Sequence, residues 1–475
     1  MNNSRGFILL TGIVYGAIFF AVFSALTSFV LVENKVQRAQ SIQSSSLQVA
    51  EAGLEYYRWF LSHYPNDLQH GTGQSGPYPI VFNDPEAGVV GTSTLSIVGN
   101  MNCGVVTSID ITSVGNASAS PQYARTLFAR YARPTVGRFS YVLNESVWAG
   151  SDRVILGPYH SNGGVRMDGT ANSEVSSSLA SWNCTSSYGC SPASSSANGV
   201  LGNGPNSAFW KYPEPQVDFA GIAADFGALK TYASTSGRYF ATNGSATANR
   251  GYRVTFNATG TVTVRPVNNT SNIQSLPVEN YSSGDLQQDY TVPSTLGSAT
   301  TYSIASSCGL LYFQDDVWVS GTTTRKIALV AADTQNSGVA PDITLVGDLK
   351  YSVNDGTTGL LAIAEGDIHI AANSPQNMTL NGIFIAQTGA FGRNLYKTNT
   401  SGSSCNNSYE NRNTLTILGT TVSNKRTGTK WAGACGSYGG YNTRIDSYDR
   451  RVTADPPPFT PTISNDYYFI DWREL

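Results

Sequence analysis

Charged side chains are scarce in this sequence. Lys and Arg number 29 and Asp and Glu 32 in 475 residues, leaving a formal net charge of −3. That balance carries no electrostatic footprint for nucleic acid, which calls for a basic patch or stripe. Histidine is rarer still: His63, His70, His160 and His369 do not cluster in sequence, and the cysteines lack zinc-binding spacing, so no metal is expected. A Gly-x-Ser-x-Gly elbow, a calcium loop and a phosphate-cradling loop are all missing, and no cofactor is expected. The Asn-x-Ser/Thr sequons at Asn116, Asn144 and Asn257 are of the kind that chance supplies in so polar a chain.

Glycine, by contrast, is abundant at 47 residues, with much Ser, Thr and Asn, the composition of a β-rich chain with a neutral, extracellular surface. The length suits two or three domains with a sizeable buried core. Six cysteines, an even number, stand at Cys103, Cys184, Cys190, Cys308, Cys405 and Cys435. They read as disulfides in an oxidising compartment. Cys184 and Cys190 close a short polar loop, Cys405 and Cys435 would staple a Gly- and Ser-rich excursion, and Cys103 is left for Cys308.

The chain is organised around its first 61 residues. From Phe7 to Val32 runs an apolar stretch without a single charge, bounded by Arg5 before it and Glu33, Lys35 and Arg38 after it. A helix of about 20 apolar residues crosses a bilayer core, so this run spans with tilt to spare. It is far longer than the roughly 7–15 residues of a cleaved signal's apolar region, although a plain signal anchor has the same hydropathy. Beyond it Val36, Leu47, Ala50, Leu54, Tyr57 and Leu61 recur mostly at spacings of three and four, with Gln40, Gln43, Gln48, Glu51, Glu55 and Arg58 between them. That is an amphipathic stripe, and Pro65 ends it.

These residues carry a resemblance. The short leader ending in Arg5-Gly6, the hydrophobic helix opening at Phe7, and Ala50-Glu51-Ala52-Gly53-Leu54 on its amphipathic half resemble the start of a type IV pilin-like protein of the PilX N-terminal kind. The resemblance implies a prepilin peptidase that cuts between Gly6 and Phe7, methylation of the new N-terminus, and assembly with other pilin-like subunits through the helix. Thr11 stands where major pilins carry a glutamate, which points to a minor subunit.

After a Gly- and Pro-rich connection from Leu68 to about Gly91, three strand-like runs follow at Ser93–Val98, Val105–Val114 and Gln122–Ala132, with a turn placed at Ser113–Asn116. A small antiparallel sheet over the outer half of the long helix covers both apolar faces, which is also the head architecture of the resembled family. Past Pro134, short apolar segments repeatedly meet a glycine and resume, as at Val317–Gly321, Ile343–Gly347, Ile363–Ile370, Met378–Ile385 and Leu415–Gly419. This reads as a right-handed parallel β-helix or a close solenoid relative, with an irregular β-sandwich as the competing architecture. Helical spacing from Asp218, placed as N-cap, to Ala233 and a hairpin at Tyr252–Phe256 and Thr261–Val267 read as an insertion.

The expected fold is therefore mainly β. Its parts are a leader (1–6), a transmembrane then amphipathic helix (7–64), a small antiparallel sheet (65–134), a β-helix-like head (135–214 and 310–450), an α/β insertion (215–309) and a Pro-rich tail with a closing strand (451–475). The expected function is a minor pilin-like structural subunit, single-pass in the inner membrane with its bulk outside, presenting its head at the cell surface for adhesion to a glycan or protein receptor. Gly6 and Phe7 serve processing, and Thr11, Leu47, Ala50, Glu51, Leu54 and Leu61 serve helix assembly. No catalytic residue is expected. The alternative is a membrane-anchored β-helical carbohydrate-active enzyme, for which Glu365, Asp367, Asp315 and Asp316 are the candidate carboxylates and His369 their neighbour.

Overall fold

The computed structural model describes residues 4–475 apart from 66, 87, 119–120, 244–249, 279–284, 306–307, 335–337, 339, 398–407, 433–437 and 465. Two compact units are present, one made of 1–99, 109–132 and 467–475, the other of 100–108 and 133–466.

In the first unit, α1 runs unbroken from Ser4 to His63. Its buried positions are Ser46, Val49, Ala50, Gly53, Leu54, Tyr57, Phe60 and Leu61, a stripe at spacings of three and four confined to the second half. The stripe lies on a five-stranded sheet with strand order β1 (Tyr78–Asp84), β2 (Gly88–Asn102), β3 (Val105–Ala117), β4 (Arg125–Ala132) and the closing strand Tyr468–Glu474. In β4, Leu127, Ala129 and Tyr131 are fully buried while Phe128 and Arg130 are half-exposed, the period of two that its sequence displays. The aromatic end of the chain adds itself antiparallel to β4.

Helix and sheet touch backbone to backbone. A Cβ on Gly115 would lie 2.2 Å from the Ser46 carbonyl oxygen and 2.4 Å from the Ala50 nitrogen, and a Cβ on Gly53 would lie 2.0 Å from Ser93 Oγ. Small residues in the Ala50–Leu54 segment therefore have a local physical reason: nothing larger permits this approach. Buried hydroxyls then satisfy one another and the helix. Ser113 donates to the Ala50 carbonyl at 2.8 Å, Tyr131 donates to the Leu54 carbonyl at 2.8 Å, and Ser93 and Ser113 are 2.8 Å apart.

Two sequence-based placements need correction here. Ser113–Asn116 is not a turn but the second half of β3, because its small polar residues are spent on helix contact. The reversal comes later, between β3 and β4. The connection Leu68–Gly91 contains β1, which pairs antiparallel with β2.

The second unit is built from parallel rows. One row contains Arg238–Phe240, Leu310–Phe313, Lys326–Ala331, Gly359–Ala364, 383–386, 421–423, Tyr141–Leu143, Tyr159–Ser161, Val175–Ser177 and Trp210–Lys211, each parallel to the next. A second row contains Gly251–Phe256, 316–321, 343–345, Ile368–Ile370 and Phe391–Gly392. A third joins 414–418, 443–447, Arg153–Leu156 and Thr170–Ala171. Sandwich sheets are antiparallel, and these rows are not. Like stacks on like: Val330, Ile363, Ile385, Val422 and Val142 follow one another across five strands, all but buried.

The stack does not follow chain order. Tyr141–Leu143 pairs with 421–423 on one side and Tyr159–Ser161 on the other. The strands before residue 215 thus continue the stack beyond the strands that end the chain's second half. Glycines permit close stacking within the rows: Gly382 (φ 154°) and Gly419 (φ 141°) are paired, and a Cβ on Gly419 would lie 1.8 Å from the Gly382 carbonyl oxygen.

Between 215 and 309, the antiparallel hairpin of Gly251–Phe256 with Thr261–Thr270 is present, and its first strand joins the second row. The helix α2 spans Phe226–Thr235 and is capped by Asp225, whose carboxylate accepts from the Ala228 amide at 2.9 Å. Asp218, the expected cap, instead closes its own turn by accepting from the Ala220 amide. A short helix, α3, spans Arg450–Ala454. Disulfides join Cys103 to Cys308 and Cys184 to Cys190. The expected pair Cys405–Cys435 lies outside the described residues.

Candidate functional site

Two places in the chain concentrate features that folding alone does not require. The first is the membrane-length half of α1. Phe7, Phe19 and Phe20 are 71%, 73% and 75% exposed, and none of the described residues covers the run to Val32. A large apolar side chain left in water forgoes roughly 1.5–3 kcal/mol of burial, so this face demands lipid or other helices. It is one helix long and apolar enough to cross a membrane. Thr11 donates its hydroxyl to the Phe7 carbonyl at 2.7 Å, so the one polar group near the start of the run has its partner within the helix.

The assembly residues expected on the amphipathic half divide. Ala50, Leu54 and Leu61 are buried within the first unit. Leu47 is half-exposed and Glu51 exposed.

The second place is a cleft of about 230 Å³ on the second row of the β stack. Trp318, Thr344 and His369 sit in register along its floor. Beside each stands an aspartate two residues earlier: Asp316, Asp342 and Asp367. The aspartates form a ladder in which one carboxylate oxygen accepts a backbone amide from the next segment of the row. The Asp342 amide donates to Asp316 at 2.9 Å, the Asp367 amide to Asp342 at 2.6 Å, and the Ala390 amide to Asp367 at 2.6 Å. Successive carboxylates are therefore about one strand spacing apart, on the order of 4.8 Å. Asp289, almost fully buried, lines the same cleft and accepts from Asn394 at 2.9 Å.

The second oxygens of Asp342 and Asp367 face His369 Nε2 at 3.6 and 3.3 Å. Burial opposes a charge on His369, but its contacts with Asp342 and Asp367 hold its pKa well above the usual histidine range. Burial pushes Asp367 up, while the His369 contact, the Ala390 amide and Lys425 bring it below its ordinary value. Asp316 is pushed well up, by burial first and the Asp342 charge second.

Of the carboxylates named from sequence, the cleft gathers Asp316 and Asp367 with His369. Glu365 is elsewhere, accepting the Asp333 amide at 2.8 Å, and Asp315 accepts the Asn243 amide at 2.8 Å. Glu365 and Asp367 thus serve different neighbours although they are two residues apart. Asp342 and Asp289 were missed. Asp342 had a signal: Asp316-Val-Trp-Val, Asp342-Ile-Thr-Leu and Asp367-Ile-His-Ile repeat one pattern.

No family model matches the chain, and no curated protein matches it. Among solved structures it is similar to the competence-associated pilin ComZ from Thermus thermophilus, with 13% identity over 91% of this chain and 97% of that one, at a TM-score of 0.29. An overlap at that score carries no argument for fold or function.

Proposed function

We propose that this chain is a minor pilin-like structural subunit of a type IV pilus or a related filament or secretion system, and not an enzyme. The observation that carries the reading is the division of α1: an uncovered, uncharged half of membrane length continues without a break into a half packed on an antiparallel sheet. On this reading a prepilin peptidase removes residues 1–6, Phe7 becomes the methylated N-terminus, and the uncovered half passes from the inner membrane to a bundle of similar helices. Helix association in such a bundle proceeds by close apolar packing.

Thr11 favours a minor position. A glutamate in lipid is costly until it finds a partner, whereas the threonine hydroxyl is satisfied within its own helix. The parallel rows, read as coils of a β-helix, form a head held outward at the tip or initiation complex, where it contacts a surface glycan or protein. The test is processing: Gly6→Val should leave the leader attached and keep the chain out of filaments. If the variant still begins at Phe7, the peptidase assignment fails.

A second reading keeps one observation in its favour, the ladder of Asp316, Asp342 and Asp367 in an open cleft. It makes the chain a membrane-anchored carbohydrate-active enzyme. Glycan breakdown by the purified protein, abolished in a double Asp342→Ala, Asp367→Ala variant, would establish it.

A further inference from the structure

Acidic side chains outnumber basic ones in the lining of the cleft. Asp289, Asp316, Asp342 and Asp367 line it, His369 is its one basic side chain, and no lysine or arginine lines it among the described residues. Folded chains place buried carboxylates beside cations or pay heavily for the desolvated charge. Here a backbone amide donates to one oxygen of each ladder aspartate, Lys425 acts on Asp367 from outside the lining, and the second oxygens of Asp367 and of the one-third-exposed Asp342 converge on a single imidazole.

The distances at that convergence are informative. A charge-assisted N–H to carboxylate hydrogen bond measures about 2.7–2.9 Å, and His369 Nε2 stands further off, at 3.3 Å from Asp367 Oδ2 and 3.6 Å from Asp342 Oδ2. For a tetrahedral ion with metal to nitrogen and oxygen distances of about 2.0–2.2 Å, neighbouring ligand atoms are separated by about 3.4 Å. The two His369 contacts are therefore long for a hydrogen-bonded staple and match two edges of a coordination tetrahedron. All three ligand atoms lie within 4.8 Å of one another.

The shell around the two aspartates fits the same role. Each aspartate is oriented by a backbone amide on its first oxygen, leaving the second to ligate, as second-shell contacts do for metal ligands. The His369 side chain is 13% exposed, and its Nε2 is turned toward the two carboxylates, while its buried Nδ1 lacks the hydrogen bond that usually orients a ligating imidazole.

We infer that Asp342, Asp367 and His369 bind a divalent transition-metal ion, with zinc the ion whose mixed carboxylate and imidazole preference the set matches. Three protein ligands leave one position facing the cleft, open to water or to an oxygen atom of whatever the cleft receives. The inference stands apart from the pilin-like reading, since a subunit or an enzyme alike would carry such an ion.

The test uses the untagged full-length protein in detergent, stripped with a chelator, dialysed and titrated with zinc chloride by calorimetry. One zinc per chain is expected. Asp342→Asn and His369→Gln should each weaken binding at least tenfold with unchanged far-UV circular dichroism, because asparagine retains an oxygen for the Asp367 amide. Glu365→Gln should bind as the parent does. The inference is overturned if the parent takes up no zinc at millimolar concentration, or if both cleft variants bind at full strength. Should a variant lose its fold, X-ray absorption at the zinc edge of the parent decides: one imidazole with oxygen neighbours supports the site, and an all-oxygen or sulfur-containing shell overturns it.

Discussion

Ser113 Oγ donates to the Ala50 carbonyl oxygen at 2.8 Å, a hydrogen bond from the middle of β3 to the middle of α1. It forms only because the chains approach without side chains between them, with Gly115 two residues along the strand and Gly53 one turn along the helix. Close approach is thus the condition on which the first unit rests.

Gly115→Val tests that condition. The new side chain meets backbone atoms of Ser46 and Ala50, which cannot yield without moving the helix. A loss of about 1–3 kcal/mol is expected, seen as a lower denaturant midpoint and as faster amide exchange in β2–β4. Unchanged exchange there would contradict the backbone-to-backbone packing.

A buried ion pair holds the out-of-order stack together. Arg153 Nε donates to Asp446 Oδ2 at 2.6 Å, both side chains are 4% exposed or less, the Tyr141 hydroxyl donates to the same carboxylate at 3.2 Å, and the guanidinium lies over the Tyr141 ring. Asp446→Ala should cost about 3–5 kcal/mol, since it leaves an arginine buried and unpaired. Proteolysis should then cut first within 141–211. Parent-like stability would show that the strands before residue 215 do not depend on this contact.

His160 gives the second unit a pH dependence of known sign. It sits where the Val330 to Val142 ladder meets the polar Ser176, with Nδ1 3.0 Å from Ser176 Oγ and Nε2 3.1 Å from Asn162 Oδ1. Burial lowers its pKa, against smaller opposing effects from Asn162, Glu174 and Glu214. The unfolded chain therefore binds the proton more readily, and stability falls as pH drops through about 6.5. His160→Gln should flatten the difference in urea midpoint between pH 5 and pH 8 relative to the parent. An identical difference in both proteins would place the titration elsewhere.

What could be read from the sequence followed from how local its causes were. The uncharged run to Val32, the stripe through Leu54 and Leu61, and the alternation in β4 each state their environment within a few residues. Ser113–Asn116 misled because the residues that permit a turn also permit close packing, and only α1 decides between them. Asp218 and Asp225 are equally good caps in isolation; the one followed by the packed face of α2 wins. The stacking of Tyr141–Leu143 on 421–423 depends on contacts between distant residues that no local pattern announces. The cleft was half legible for the same reason: Asp367 and His369 stand two residues apart, but Asp342 arrives just before the neighbouring strand 343–345, so no ligand spacing appears along the chain.

The most direct measurement is the mass of the N-terminal peptide of the native protein, isolated from sheared surface filaments and from membranes. The account predicts a peptide beginning at Phe7 and carrying one methyl group, in both fractions. A peptide beginning at Met1, or a protein found in neither fraction, would contradict it.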